Sequence, residues 1–178
     1  MSDNVYLGNP NLKKANTPIE WTEEMMVEFL KCKEDPVYFA NNHVKIVSLD
    51  EGLTQFHPYH FQEKLINNFH HNRFNICKMP RQTGKSTTVV SYLLHYAVFN
   101  DSVNIGILAN KAATARELLG RLQTAYENLP RWMQQGIIAW NKGSLELENG
   151  SKILAASTSA SAVRGMSFNI LFLDEFAF

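Results

Sequence analysis

The period of the apolar positions changes several times along the chain, and each change marks an element. Trp21, Met25, Met26, Phe29 and Leu30 recur at the spacing of one helix face. Two start signals compete to open that helix. Thr17-Pro18-Ile19-Glu20 has capping-box spacing with Pro at the first helical position, and Thr22-Glu23-Glu24 puts acids into a first turn. The helix should run to about Lys33, because Asp35 precedes Pro36 and is disfavoured in the α region. A second short helix is expected over Val37 to Val44, with the apolar face of the first packed on a core. Phe61, Leu65, Ile66 and Phe69 carry helical spacing through His57–His71, and the short run Phe74–Met79 then reads as a buried strand ending in a turn. Ser86 to Phe99 reads as a helix, Val103 to Ala109 as a second buried strand, and Ala112 to Leu129 as a long helix stopped by Pro130. Strands alternating with helices at this spacing predict βαβ units and a mainly parallel sheet. Ser144–Glu148 and Ser151–Ala155 flank Asn149-Gly150, the signature of a two-residue hairpin, and Asn169 to Asp174 is a last apolar strand ending on carboxylates. Residues 1–16, rich in Asn, Gly, Pro and Lys, have no period and read as a mobile tail or docking arm.

Composition narrows the classes. The 178 residues suffice for one domain with its own core, and 45% hydrophobic content is that of a globular chain. Lys+Arg and Asp+Glu number 17 each, so a polybasic tail and an acidic disordered protein are both excluded. Residues 1–80 carry 8 basic and 10 acidic side chains and residues 81–178 carry 9 and 7, so any DNA-binding surface must be local. Cys32 and Cys77 have no Cys-x-x-Cys or Cys/His spacing suited to zinc, and are expected to be buried thiols in a reducing compartment. No apolar stretch approaches membrane-spanning length and no signal-peptide pattern opens the chain, which predicts a soluble intracellular protein.

The chemistry gathers at two strand ends. Met79-Pro-Arg-Gln-Thr-Gly-Lys-Ser86 stands where a strand is expected to turn into a helix, as a phosphate loop requires. Backbone N–H groups would face an anion, Lys85 would supply a charge to the β/γ-phosphates, and the Ser86 hydroxyl could hold Mg²⁺. Met79 replaces the first glycine of the usual pattern. Downstream, Ile170-Leu-Phe-Leu leads to Asp174-Glu175, two adjacent acids where α/β sheets place ligands. Asp174 would hold Mg²⁺ through water, and Glu175 would orient and deprotonate an attacking water. The pair favours hydrolysis or motor action over small-molecule phosphorylation. Arg81, four residues before Lys85, suits an arginine finger in cis. Arg164, in the small-residue loop 159–165, fits a functional role and a structural one equally.

Taken together, Phe61-Gln62 placed 23 residues before Lys85, Pro80–Ser86, Ile107–Lys111, the Trp140–Ser151 hairpin, Ala162–Gly165 and Leu171–Glu175 resemble a known family. It is the ATPase domain of the terminase large subunit of tailed bacteriophages, of the large contractile-tailed type, and the likeness runs roughly from Ile19 to Phe178. The resemblance implies an α/β P-loop NTPase of the additional-strand, catalytic-glutamate class, with a mainly parallel sheet and a small helical N-terminal part. It implies the boundaries 1–16 for the tail, 17–56 for the helical part and 57–178 for a partial ATPase domain. With sheet order 5-1-4-3-2, Phe74–Met79 would be strand 1, Val103–Ala109 strand 2 and Asn169–Asp174 strand 3. Strand 4, a coupling motif and an RNase H-like nuclease domain would come after Phe178, so the chain is expected to be poorly stable and at best weakly active by itself.

The implied activity is ATP hydrolysis driving double-stranded DNA into a procapsid. The implied cofactors are ATP and Mg²⁺. Implied partners are phage DNA, the portal protein, the small terminase subunit and further copies in a ring, in the host cytoplasm. By the same resemblance Gln62 would read the adenine edge, and Arg81, Gln82, Thr83, Gly84, Lys85, Ser86 and Thr87 would contact nucleotide. Ser86 and Asp174 would bind the metal, and Glu175 and Arg81 would be catalytic. The rival readings are a helicase-like DNA-dependent ATPase and a non-catalytic remnant that binds nucleotide.

Overall fold

The computed structural model describes residues 4–48, 50–159 and 165–175. Its centre is a five-stranded sheet of order β6-β7-β8-β5-β9, formed by β5 (Asn104–Ala109), β6 (Ile137–Trp140), β7 (Ser144–Leu147), β8 (Lys152–Ser157) and β9 (Ile170–Asp174). β8, β5 and β9 run parallel, and β6, β7 and β8 are antiparallel, so the sheet is mixed rather than mainly parallel. As expected, β5 and β9 are neighbours, with Ala109 opposite Asp174 at their C-terminal ends. The β7–β8 hairpin forms where Asn149-Gly150 predicts it, but with three loop residues. Leu147 N–H bonds Ser151 O at 2.9 Å and Gly150 N–H bonds Leu147 O at 3.0 Å, which leaves Gly150 at φ 81 as the bulge residue.

Against this sheet packs α5 (Ala112–Glu127), and against α5 packs α4 (Lys85–Phe99). Almost every side chain of α4 from Thr88 to Phe99 is buried, the mark of a helix covered on all sides. Its outer cover is α2 (Pro36–His43) and α3 (His60–His71), with α1 (Glu23–Glu34) joined through aromatic rings. Phe29 and Phe39 both meet Phe99 edge-on, with centroids 4.9 and 5.4 Å apart, and Phe39 meets His95 at 5.5 Å. Of the two start signals the second wins, since Thr22 Oγ1 accepts from Met25 N–H at 3.2 Å. Asp35 closes α1 and opens α2. Its backbone N–H bonds Lys31 O, its Oδ1 accepts from Val37 and Tyr38 N–H at 2.8 and 3.0 Å, and Pro36 takes the first helical position. The inward face of α1 is narrower than expected: Met26, Val27 and Leu30 lie exposed.

Residues 4–16 of the stretch read from sequence as a mobile tail or docking arm are docked. β1 (Val5–Tyr6) and β2 (Asn9–Lys13) form a hairpin, Leu12 enters the core, and Lys14 bridges to Ile137 on the outer strand β6. Gln134 straps this segment, accepting from Lys13 N–H at 3.1 Å and donating to Asn11 O at 2.9 Å. Lys13 Nζ lies 2.9 Å from Glu148 Oε1. Gly136 is needed here, because a Cβ would come within 2.4 Å of Ala15 Cα. A further hairpin, β3 (Lys45–Ser48) with β4 (Gly52–Gln55), falls in the stretch 17–56 that was expected to be helical.

One expected strand does not form. Phe74–Met79 is an irregular, exposed segment, with Phe74 84% and Ile76 100% accessible. A strand requires a partner for its ladder. Both edges of β5 are occupied, and no described residue pairs with the free edge of β9. The order implied by the resemblance keeps strands 1 and 3 apart by one further strand, so direct pairing of Phe74–Met79 with β9 was never its solution. Cys77 is consequently exposed rather than buried, whereas Cys32 is buried as expected.

Candidate nucleotide-binding site

The loop Met79–Gly84 leads into α4 without side-chain capping. Gly84 is the N-cap residue at φ 71, ψ 17, and Gln82 also has positive φ, 60°. This left-handed turn is cheap at Gly84 and costly at Gln82, a pattern found where a loop is shaped for a ligand. Thr88 N–H is the first in α4 to reach back to a loop carbonyl, that of Gly84 at 2.9 Å, so the helix start keeps its donors and its positive dipole end for an anion. Lys85 Nζ folds back to donate to Met79 O at 3.4 Å, and Thr83 Oγ1 donates to Pro80 O at 3.0 Å. Arg81 and Gln82 are exposed, and Arg81 has no ion-pair partner among the described residues.

Gln62 lies behind the loop, only 3% exposed. Its Oε1 accepts from Tyr59 N–H at 2.8 Å and its Nε2 donates to Thr83 O at 3.2 Å. The amide thus ties the first turn of α3 to the residue before Gly84, and a Cβ on Gly84 would fall 2.5 Å from Nε2. Sequence order gives no hint of that tie; only the fold places position 62 against position 84.

Asp174 ends β9, half-buried, beside the exposed Glu175. Burial raises the Asp174 carboxyl above its ordinary range, the Glu175 charge raises it further, and Lys85 and Arg121 act in the opposite direction. The charges of Lys85, at the start of α4, and of Arg121, on α5, thus both bear on the carboxyl that ends β9. Glu175 has φ 48, a left-handed conformation that a non-glycine residue adopts at a cost. Arg121, ion-paired to Glu117 at 2.7 Å on α5, joins this electrostatic neighbourhood and was not singled out by sequence. Arg164 lies outside the described residues.

The family model described as terminase large subunit, T4likevirus-type, N-terminal, matches residues 76–178, which is more than half of the chain. The chain belongs to that terminase family. Its fold is also that of a solved relative, the HK97 bacteriophage large terminase. That crystal structure matches with TM-score 0.64 at 17% identity, over 79% of this chain and 30% of that chain. The matched region begins at residue 76, inside the segment that leads into the loop, and takes in the loop, α4, α5, the whole sheet and Asp174-Glu175. Among the described residues no helix is long and apolar enough to cross a membrane.

Proposed function

We propose that this chain is the ATP-binding and ATP-hydrolysing motor module of a terminase large subunit, which drives double-stranded DNA into a procapsid. The observation that carries the reading is the uncapped start of α4, with Gly84 in a left-handed turn and Lys85 at the first helical position, in a family match that also takes in Asp174-Glu175. A cationic side chain, free N–H donors and a half-buried carboxylate fit a nucleotide triphosphate with its metal. The N–H groups of Gly84 to Thr87 and Lys85 Nζ would hold phosphate oxygens, joined by Gln82 and Thr83 from the loop. The Ser86 hydroxyl and Asp174 would hold Mg²⁺. The ion supplies positive charge at the phosphate oxygens as negative charge builds there.

Glu175 would accept the proton of the attacking water, and Arg81, exposed and without an ion-pair partner among the described residues, would swing onto the transferring phosphoryl group. Gln62 keeps one amide N–H and one lone pair for an adenine edge. The portal protein, the small terminase subunit and a ring of like subunits are the partners that this role requires. Family membership favours it over a helicase-like ATPase.

The test is turnover with radiolabelled ATP. Glu175→Gln should slow it by at least ~100-fold with nucleotide binding retained, as loss of a general base does. Lys85→Ala should abolish binding itself. Wild-type-like turnover by Glu175→Gln would remove the mechanism, and tight ATP binding with no turnover in the unaltered polypeptide would leave a nucleotide-binding remnant.

A further inference from the structure

At Asp35 the chain turns back so that α1 and α2 face one another, and this brings together three side chains far from the nucleotide site. Glu28 and Cys32 stand one turn apart on α1, and His43 occupies the last turn of α2. One ligand atom from each lies within 4.8 Å of the other two. Glu28 Oε1 is 2.7 Å from His43 Nε2 and 3.8 Å from Cys32 Sγ. The other carboxylate oxygen, Oε2, is held by the Tyr38 hydroxyl, which donates at 3.1 Å. One oxygen is thus fixed from outside the cluster and the other is turned toward a nitrogen and a sulfur.

We propose that Glu28, Cys32 and His43 form a binding site for a four-coordinate divalent transition metal of the zinc class, with water as the fourth ligand. One thiolate, one imidazole and one carboxylate are the mixed donor set that zinc and cobalt accept, and magnesium or calcium would not choose a sulfur ligand. Tetrahedral bonding places such atoms roughly 3.3–3.8 Å apart. The Glu28–His43 pair must therefore open by about 0.6 Å, and the Cys32–His43 pair, within 4.8 Å, must close by at most about 1.3 Å, which side-chain torsions accommodate. Tyr38 is the outer-shell donor that orients the carboxylate, an arrangement usual around metal ligands. Glu28 and His43 are partly accessible, and the surface groove beside Glu28 is lined by Glu23, Glu24 and one cation, Lys31, so the approach is acidic on balance.

Without a metal, Cys32 is a protonated thiol: burial, and then the Glu28 charge, push it up to about 12. Binding replaces the S–H bond by a metal–sulfur bond and releases that proton to solvent, while the His43 ring proton that bridges Nε2 to Glu28 moves to Nδ1, so that Nε2 offers its lone pair to the metal. The role is structural. The ion would staple α1 to α2, and the Cys32 carbonyl accepts from His95 Nε2 on α4 at 2.8 Å, so the staple bears on the helix that carries the phosphate loop at its start.

Metal-free chain titrated with Co²⁺ tests this. The expected result is one ion per chain, with a near-ultraviolet thiolate-to-cobalt band that Zn²⁺ abolishes. The band should survive Cys77→Ser and vanish in Cys32→Ser. Apparent affinity should fall about tenfold per unit decrease in pH, for the one thiol proton displaced, and by about 10- to 100-fold in Tyr38→Phe. Should Cys32→Ser fail to fold, His43→Gln at its partly exposed position serves instead, and must also lose tight binding. A band that survives Cys32→Ser or His43→Gln overturns the proposal. So does cobalt bound without the thiolate band, as exposed histidines such as His60 and His71 would bind it.

Discussion

Replacing Gly84 by Ala should break the tie between α3 and the Met79–Gly84 loop, and the size of the effect follows from the geometry. Alanine at φ 71 carries a left-handed strain of about 1 kcal/mol. Its Cβ would also stand 2.5 Å from Gln62 Nε2. Such a clash is cheap at the free end of a side chain, but this amide is held at both ends, by Tyr59 N–H and by Thr83 O. Moving it forfeits two hydrogen bonds at about 1 kcal/mol each, for a total near 3 kcal/mol. In a Gln62→Ala background there is nothing left to clash with, and Gly84→Ala should cost only the strain. The double-mutant cycle therefore predicts a coupling of about 2 kcal/mol, with the pair of substitutions less harmful than the separate losses imply. Urea unfolding followed by circular dichroism gives the four free energies, with constant m as the check that the unfolded state is unchanged. Additivity within ~0.5 kcal/mol would refute the tie, because that is what independent sites show.

Other outcomes follow from single features. His95 is buried, and burial holds its pKa down to about 4 against an ordinary 6.5; His70 also lowers it, and the Cys32 and Lys33 backbone and Asp35 oppose the shift. The unfolded chain therefore takes up a proton that the folded chain refuses as pH falls from 6.5 to 4, so stability should drop by about 3 kcal/mol across that window and His95→Leu should flatten this part of the pH–stability curve. Lys13→Ala strips Glu148 of its cation in a largely buried pair, 6% and 23% exposed, and should lower stability by roughly 2–3 kcal/mol in urea melts. Lys152→Ala, which breaks the more exposed pair with Glu146, should cost under about 1 kcal/mol in the same assay. Arg81→Ala should reduce ATP turnover by about three orders of magnitude with nucleotide affinity nearly unchanged, and a parallel loss of affinity would mark the residue as structural instead.

Elements whose cause is local were readable from the chain. Asp35-Pro36 ends one helix and starts the next through its own backbone and carboxylate, so no distant residue is needed to place the boundary. The β7–β8 hairpin follows from Asn149-Gly150, although the loop length does not. Adding Glu148 to the turn makes Gly150 the bulge, a choice fixed by the pairing of Leu147 with Ser151. The turn into α4 and the strand ending on Asp174-Glu175 were legible for a local reason: Gly84 satisfies a backbone angle, Lys85 follows immediately in α4, and a short apolar run ends on two adjacent acids.

What sequence could not supply is the partner. The run Phe74–Met79 has the composition of a buried strand, but burial and ladder bonds come from neighbours, and no described strand pairs with it. Composition thus predicted a propensity that topology left unused. The same blindness acted in the other direction at Cys32. Read along the chain, a cysteine 11 residues before a histidine suggests no metal site, because zinc spacing rules assume ligands held by a short loop. A helical hairpin satisfies the geometry differently: one turn of α1 sets Glu28 beside Cys32, and the reversal at Asp35 returns His43 to the same face. Gln62 makes the same point at the candidate nucleotide site. Its buried amide lies behind Gly84 only because α3 packs on α4, so the side chain that shapes the loop is 22 residues away from the glycine that needs shaping. Motifs report chemistry that sits within a few consecutive residues, and packing decides which other residues join it.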